Sequence, residues 1–232
     1  MDVNQTEEEQ VESLKKWWAE NSRSIIFGVG IGLFAIFGWQ SWKNHTRTQA
    51  IEASDLYQQM VTAVKNNNPE AAVEFSNEIT KTYGDTPYVG LAGLQKAKIQ
   101  LQQGQRKEAV ASLMLTSEQA DNNSIQHVAR LRAFRIRIGD GEMKEVIQDI
   151  DDVMAEKNGV NPGEFIGQYE ALRGDAYRLL GDITKARNSY IAAMRNATLD
   201  KRIIQLKLDD LGPPPKSDAV KAGALKVKET AK

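Results

Sequence analysis

Any catalysis by this chain would have to rest on oxygen and nitrogen, because its 232 residues include no cysteine and only two histidines, His45 and His127. Thiol nucleophiles, disulfides and thiolate metal sites are therefore excluded, and the histidines lie far apart in sequence. The densest carboxylate cluster in the folded part is Asp149, Asp151 and Asp152. A catalytic pair needs a cleft that perturbs its ionisation, whereas acids at this spacing on a helix read as a solvated face. Gly28, Gly30 and Gly32 superficially suggest a nucleotide loop, but Leu33 follows and no strand precedes them. The Walker loop, HExxH pair, nucleophile elbow and calcium loop are all missing from the sequence. The residues predict a non-enzyme without a cofactor or metal. A formal net charge of −1 and a pI near 6.2 argue against nucleic acid, which demands a concentrated basic surface.

The elements that would position a binding surface begin with an apolar run. Residues 24–42 carry no charge, and Ile25 to Trp39 is almost wholly apolar. All four tryptophans flank it: Trp17 and Trp18 before, Trp39 and Trp42 after. From Trp18 to Trp42 a helix advances about 36 Å at ~1.5 Å per residue, which places indoles at both faces of a ~30 Å hydrocarbon layer. The run is long for a cleaved leader, and Trp39-Gln-Ser-Trp42 lacks a small-x-small cleavage pattern, so residues 24–42 read as an uncleaved transmembrane signal anchor. Gly28 and Gly32 share one helix face and are a candidate contact with another transmembrane helix, although glycine is common in spans generally. Lys15, Lys16 and Arg23 before the span outnumber Lys43 and Arg47 after it, a slight bias towards a cytoplasmic segment 1–23. Val11, Leu14 and Trp18 fit a short interfacial helix; a mostly unstructured acidic tail is the alternative.

Beyond the span a single period organises the sequence. Turn residues fall at Asn67, Gly104, Gly141 and Gly181, at intervals of 37, 37 and 40 residues. Five positions after each stands a small or β-branched apolar residue: Ala72, Ala109, Val146 and Ala186. Four further on come Ser76, Leu113, Ile150 and Tyr190, and three beyond those Ile79, Thr116, Val153 and Ala193. A turn residue that tolerates the left-handed conformation can end one helix, and the small residue then lets a second helix approach. Asn68-Pro69 and Asn161-Pro162-Gly-Glu164 each supply a cap with proline at the first helical position, and Asp182 caps another helix. Thr86-Pro87 opens a further one. Lys157 to Pro162 absorbs the longer last interval as a loop. A closing helix over about Leu199 to Leu211 carries Ile203, Ile204, Leu208 and Leu211 on one side, covering the open end of the stack. Gly212 and the prolines after it stop that helix, and residues 213–232 read as a disordered tail.

The unit from Gln168 to Ala193 resembles a tetratricopeptide repeat at Gly174, Tyr177, Gly181, Ala186, Tyr190 and Ala193; the unit around Gly104 has Gln100 where an aromatic residue is usual. The expected fold is all-α: one transmembrane helix, then a solenoid of about four tetratricopeptide-like hairpins over residues 43–212 with a C-terminal capping helix. Stacked hairpins present their first helices on a concave face. Tyr57, Leu94, Lys98, Arg130, Arg137 and Arg178 are expected there, forming a basic and apolar groove for a partner segment. Solvated helix charges and ordinary packing are the alternative reading of the same residues.

Glu9-Gln-Val-Glu-Ser-Leu-Lys-Lys-Trp-Trp-Ala-Glu-Asn21, the glycine-rich span with Gly38-Trp39-Gln-Ser-Trp42, Thr82-Tyr-Gly-Asp-Thr-Pro-Tyr-Val-Gly-Leu-Ala-Gly-Leu94, Leu172-Arg-Gly-Asp175 and Leu206-Lys-Leu-Asp-Asp-Leu211 together resemble the YfgM family. The likeness runs over roughly residues 5–211, and the tail after Leu211 departs from it. It implies an ancillary subunit of the bacterial SecYEG translocon, held in the inner membrane lipid with its repeats in the periplasm. It further implies cooperation with the membrane-anchored periplasmic chaperone PpiD, a cytosolic role in restraining the regulator RcsB, and no catalytic residues. The alternative for the same fold is a scaffold for envelope assembly without a translocon role.

Overall fold

The computed structural model of the chain describes residues 7–196 and 200–213. Among them are nine α-helices and no strand: α1 (Glu7–Lys65), α2 (Pro69–Thr82), α3 (Tyr88–Gln102), α4 (Arg106–Gln119), α5 (Asn123–Gly139), α6 (Met143–Met154), α7 (Ile166–Leu179), α8 (Ile183–Met194) and α9 (Lys201–Asp210). The chain divides between Glu52 and Ala53 into two compact units.

The first unit contains the N-terminal part of α1. It is long and apolar enough to cross a membrane, and none of its most apolar window is buried in protein. Phe27, Ile31, Phe34 and Phe37 all present more than half of their surface, an apolar face of the kind that lipid or another apolar helix covers. The indoles of Trp39 and Trp42 lie 5.4 Å apart at the end of this run. The segment around Val11 to Trp18 is neither a separate interfacial helix nor an unstructured tail. From Glu7 onward it is continuous with the span, because no glycine, proline or cap interrupts the ladder between Glu7 and Ile25.

The second unit begins at Ala53, and its architecture follows from four copies of one turn. Asn67, Gly104, Gly141 and Gly181 all take positive φ, at 53°, 76°, 95° and 79°. In each the N–H after the turn residue reaches back to the carbonyl five residues before it: Asn68 to Ala63, Gln105 to Gln100, Glu142 to Arg137 and Asp182 to Tyr177, at 2.8–3.0 Å. These Schellman bonds satisfy the last carbonyls of the first helix and turn the chain back as the second. Asn68 and Asp182 accept the N–H groups of Ala71 and Lys185 and so cap α2 and α8. The end of α1 pairs with α2, α3 with α4, α5 with α6, and α7 with α8.

The residues that follow the turns at fixed spacing are the core. Ala72, Ala109, Val146 and Ala186 are fully buried, as are Ser76, Ile150 and Tyr190, with Leu113 at 1% exposure. One cluster joins Met60 and Ala63 of α1 to α2 and α3; the next joins Ala97 to α4 and α5. A third joins Phe134 and Ile138 to α6 and α7, and the last joins Ala171 to α8 and α9. Every cluster thus spans a hairpin and the helix that follows it, the mark of a solenoid. Helix α9 closes the final face. Lys207 donates to both oxygens of Asp175, which also accepts from the Tyr190 hydroxyl, tying α7, α8 and α9 together.

Two local expectations are corrected. Asn161-Pro162 does not open α7 directly: Asn161 Oδ1 accepts the Gly163 N–H at 2.8 Å, Gly163 has φ +49°, and a 3₁₀ turn (Gly163–Phe165) intervenes before Ile166. Thr86-Pro87 opens α3 as expected: Pro87 immediately precedes Tyr88, and the Thr86 carbonyl accepts the Val89 N–H. Ile203 is 54% exposed, because Ile204, Leu208 and Leu211 already form the i, i+4, i+7 stripe that α9 turns inward. Leu199 and the tail from 214 lie outside the described residues.

Candidate functional site

The six residues expected on the first-helix face occupy distinct environments. Tyr57 is half-buried, its ring 5.8 Å from that of Tyr88. Leu94 is half-buried against the cluster of Ala97, Ala109 and Leu113, so it serves packing. Lys98 is exposed and is in no ion pair among the described residues. Arg178 is exposed and lies 3.9 Å from Asp210 of the capping helix. Arg137 is clamped within its own repeat, with Nε on Glu142 at 2.7 Å and Nη1 on Asp149 at 2.6 Å. Arg130 is buried, with 8% of its surface exposed. The structure therefore places Arg130 in a cleft that is also lined by Asp149, the ion-pair partner of Arg137, and none of the other four residues lines it. Gly28 and Gly32 stand on open helix surface.

The region around Arg130 is a cleft of ≈ 670 Å³. Helix α5 forms its floor, the C-terminal ends of α4 and α6 its sides, and the segment Lys157 to Asn161 its end wall. Met114, Phe134, Val153 and Val160 supply an apolar lining, and Glu118, Asp149, Asp152 and Lys157 supply charge. The end wall belongs to the loop that takes up the three extra residues of the last repeat interval, with positive φ at Glu156 and Gly159.

A buried polar chain fixes that loop. His127 is 1% exposed, and its Nε2 lies 3.0 Å from the Asn161 carbonyl while Nδ1 lies 2.8 Å from the Tyr169 hydroxyl. A carbonyl can only accept, so Nε2 carries the proton in the neutral ring and Nδ1 accepts from Tyr169. The Phe165 ring stacks on the imidazole at 4.9 Å. Burial first, and then the Arg130 charge, hold the His127 imidazole below its ordinary range; the Asn161 bond opposes them. Burial likewise pushes the Tyr169 phenol up, with Arg130 opposing. Arg130 is left short of acceptors: Nη2 has a 3.5 Å contact with the Ser117 carbonyl, and buried Nη1 has no partner in the protein.

Of the three acids singled out in the sequence, Asp149 and Asp152 line the cleft and Asp151 does not, and each is held by a different cation. Asp149 pairs with Arg137, Asp151 with Arg173 and Asp152 with Lys157. Spacing alone could not show that His127, Tyr169 and Asn161 meet, since 42 residues separate the first two. The available signal was the loop that lengthens the last interval.

The tetratricopeptide repeat-like domain family matches residues 15–213. A protein of Escherichia coli strain K12 named ancillary SecYEG translocon subunit is 27% identical over 216 residues, covering 91% of this chain and 99% of that protein. Proteins of the same name from Aggregatibacter actinomycetemcomitans and Haemophilus influenzae are 28% and 25% identical over 206 residues, each covering 88% of this chain and 97% of the relative. The likeness to this group read from the tryptophan-bracketed span and the repeat residues is thus a likeness over nearly the whole chain. With four Schellman-turned hairpins, a buried small residue after each turn and a family match from the span to the capping helix, the chain belongs to the tetratricopeptide repeat-like domain family.

Proposed function

We propose that this chain is a non-enzymatic, membrane-anchored adaptor associated with the SecYEG translocon. The observation that carries the reading is the near end-to-end similarity to three proteins named ancillary SecYEG translocon subunit. An exposed apolar helix and a hairpin array support it. In this reading residues 24–42 span the bacterial inner membrane, residues 1–23 are cytoplasmic and the repeats from 43 to 212 are periplasmic. The repeats link emerging proteins to a periplasmic chaperone of the PpiD type, and the cytoplasmic segment restrains RcsB. Lys98 and Arg178, exposed on first helices, contribute to the partner surface, while Arg137 serves its repeat through Glu142 and Asp149.

Purification of the full chain in mild detergent tests the association: translocon subunits are expected among the recovered proteins, and their repeated absence refutes it. Recovery of envelope-assembly proteins alone would favour the scaffold reading. Orientation is tested separately, by protease added outside spheroplasts. Digestion or release of the repeats is expected, and complete protection would reverse the topology.

A further inference from the structure

Arg130 combines burial with an unmet charge. It is in no ion pair among the described residues, its Nη1 is buried without an acceptor, its Nη2 has a long contact to the Ser117 carbonyl, and its other polar neighbour is the uncharged Tyr169 hydroxyl. The acids of the cleft do not neutralise it. Asp149 accepts from Arg137 and Asp152 from Lys157, both at 2.6 Å, and Glu118 is exposed. Holding a guanidinium out of water without a counter-charge is costly, so an anion reaching it from the cleft gains what the protein has left unsatisfied.

We propose that the cleft between α4 and α6 is a binding site for an organic carboxylate carried beside an apolar group, with Arg130 receiving the carboxylate. A planar guanidinium edge matches a planar carboxylate through two parallel N–H···O bonds. The apolar neighbour of that carboxylate lies against Met114, Phe134, Val153 and Val160. Glu118, Asp149 and Asp152 stand around the same space and disfavour a dianion such as phosphate, while a single charge on Arg130 is tolerated. A volume of ≈ 670 Å³ falls in the range of ~300–1,000 Å³ typical of small-ligand sites and admits the end of a peptide. His127 holds the Asn161 end of the wall in place, so the cleft is formed before the ligand arrives. Two sources share this chemistry: a polypeptide C-terminus ending in an apolar residue, and a free branched-chain acid. The inference goes beyond the translocon reading and does not depend on it.

The test is calorimetric titration of the full chain in detergent with three probes: an acetylated tripeptide ending in leucine, the same tripeptide as its C-terminal amide, and isocaproate. Saturable binding of the tripeptide acid, with the amide at least tenfold weaker, is expected. Isocaproate binding as tightly as the tripeptide would assign the site to free acids; tenfold weaker binding would assign it to a peptide terminus. Arg130→Gln is expected to weaken the acid at least tenfold and to leave the amide unchanged. Arg130→Lys, which keeps the charge but loses the paired bonds, is expected to fall between. Should Arg130→Gln not fold, Glu118→Gln removes an exposed acid at the rim and is expected to tighten the acid two- to threefold. Equal binding of acid and amide, no saturable binding of the acid up to millimolar concentration, or unchanged affinity in both the Arg130→Lys and the Glu118→Gln proteins would overturn the proposal.

Discussion

Gln100 shows how one residue can depart from its repeat and leave a measurable cost. It stands where the repeat usually places an aromatic side chain, is 7% exposed, and its Oε1 has no donor within the protein. A buried amide oxygen without a donor forfeits its hydration without compensation. Gln100→Leu keeps nearly the same volume and should stabilise the chain by about 1 kcal/mol, raising Tm by about 2–4 °C for a unit of this size. Circular dichroism melting of the full chain in detergent checks it; an unchanged or lower Tm would mean that the amide is satisfied in solution. His127 makes a second prediction. Burial and the neighbouring Arg130 set its folded pKa below the unfolded value of about 6.5, so below that pH the unfolded chain binds more protons than the folded one. Its contribution to stability is complete above the unfolded pKa and is lost as pH falls through the folded one. Melting temperatures taken downward from pH 7.5 to 5 should decline, and the His127→Gln protein, which cannot take up that proton, should decline less steeply over the same interval.

At the scale of the element, glycine acts in two ways that sequence spacing merges. Gly181 ends α7 at φ +79°, with open space where a Cβ would stand. Gly174 lies inside α7 in ordinary helical conformation, where a Cβ would overlap the Tyr190 ring of α8. Gly174→Ala should therefore cost about 1–3 kcal/mol through overpacking, and Gly174→Ala combined with Tyr190→Leu should recover part of it by removing the ring edge. Additive losses in the pair, measured by thermal unfolding, would show that the contact is not the cause. The hairpins were legible in the sequence because their signals are local: a turn residue tolerant of positive φ, a small residue five positions on, and caps at Asn68 and Asp182. The start of α7 was not, because Asn161 could either cap a helix at Pro162 or close an Asx turn onto Gly163, and only tertiary packing chooses. Ile203 differs for a related reason: of two adjacent isoleucines about 100° apart on a helix, the width of the partner surface decides whether one or both are covered, and α9 turns only Ile204 inward.

For the whole molecule, periodicity in the sequence defined the solenoid but not its binding surfaces. Arg130 and Arg137 were placed on an open face by register alone. Burial of the first and the Glu142–Asp149 clamp on the second depend on side chains from α4 and α6 that no spacing rule brings together. The span needed no tertiary context, since its length, its lack of charge and its bracketing tryptophans are all local properties. The central claim is that a lipid-exposed helix and a hairpin array serve the translocon. It is tested most directly in growing cells, where no detergent can create or dissolve a complex. A photo-crosslinking residue is placed in turn at Val29, Phe34 and Phe37 in the span and at Lys98 and Arg178 on the first helices. The account predicts that light yields an adduct with a translocon subunit from at least one span position, at a mass that shifts when that subunit is tagged. Adducts with other proteins but with no translocon subunit, from all five positions, would contradict it.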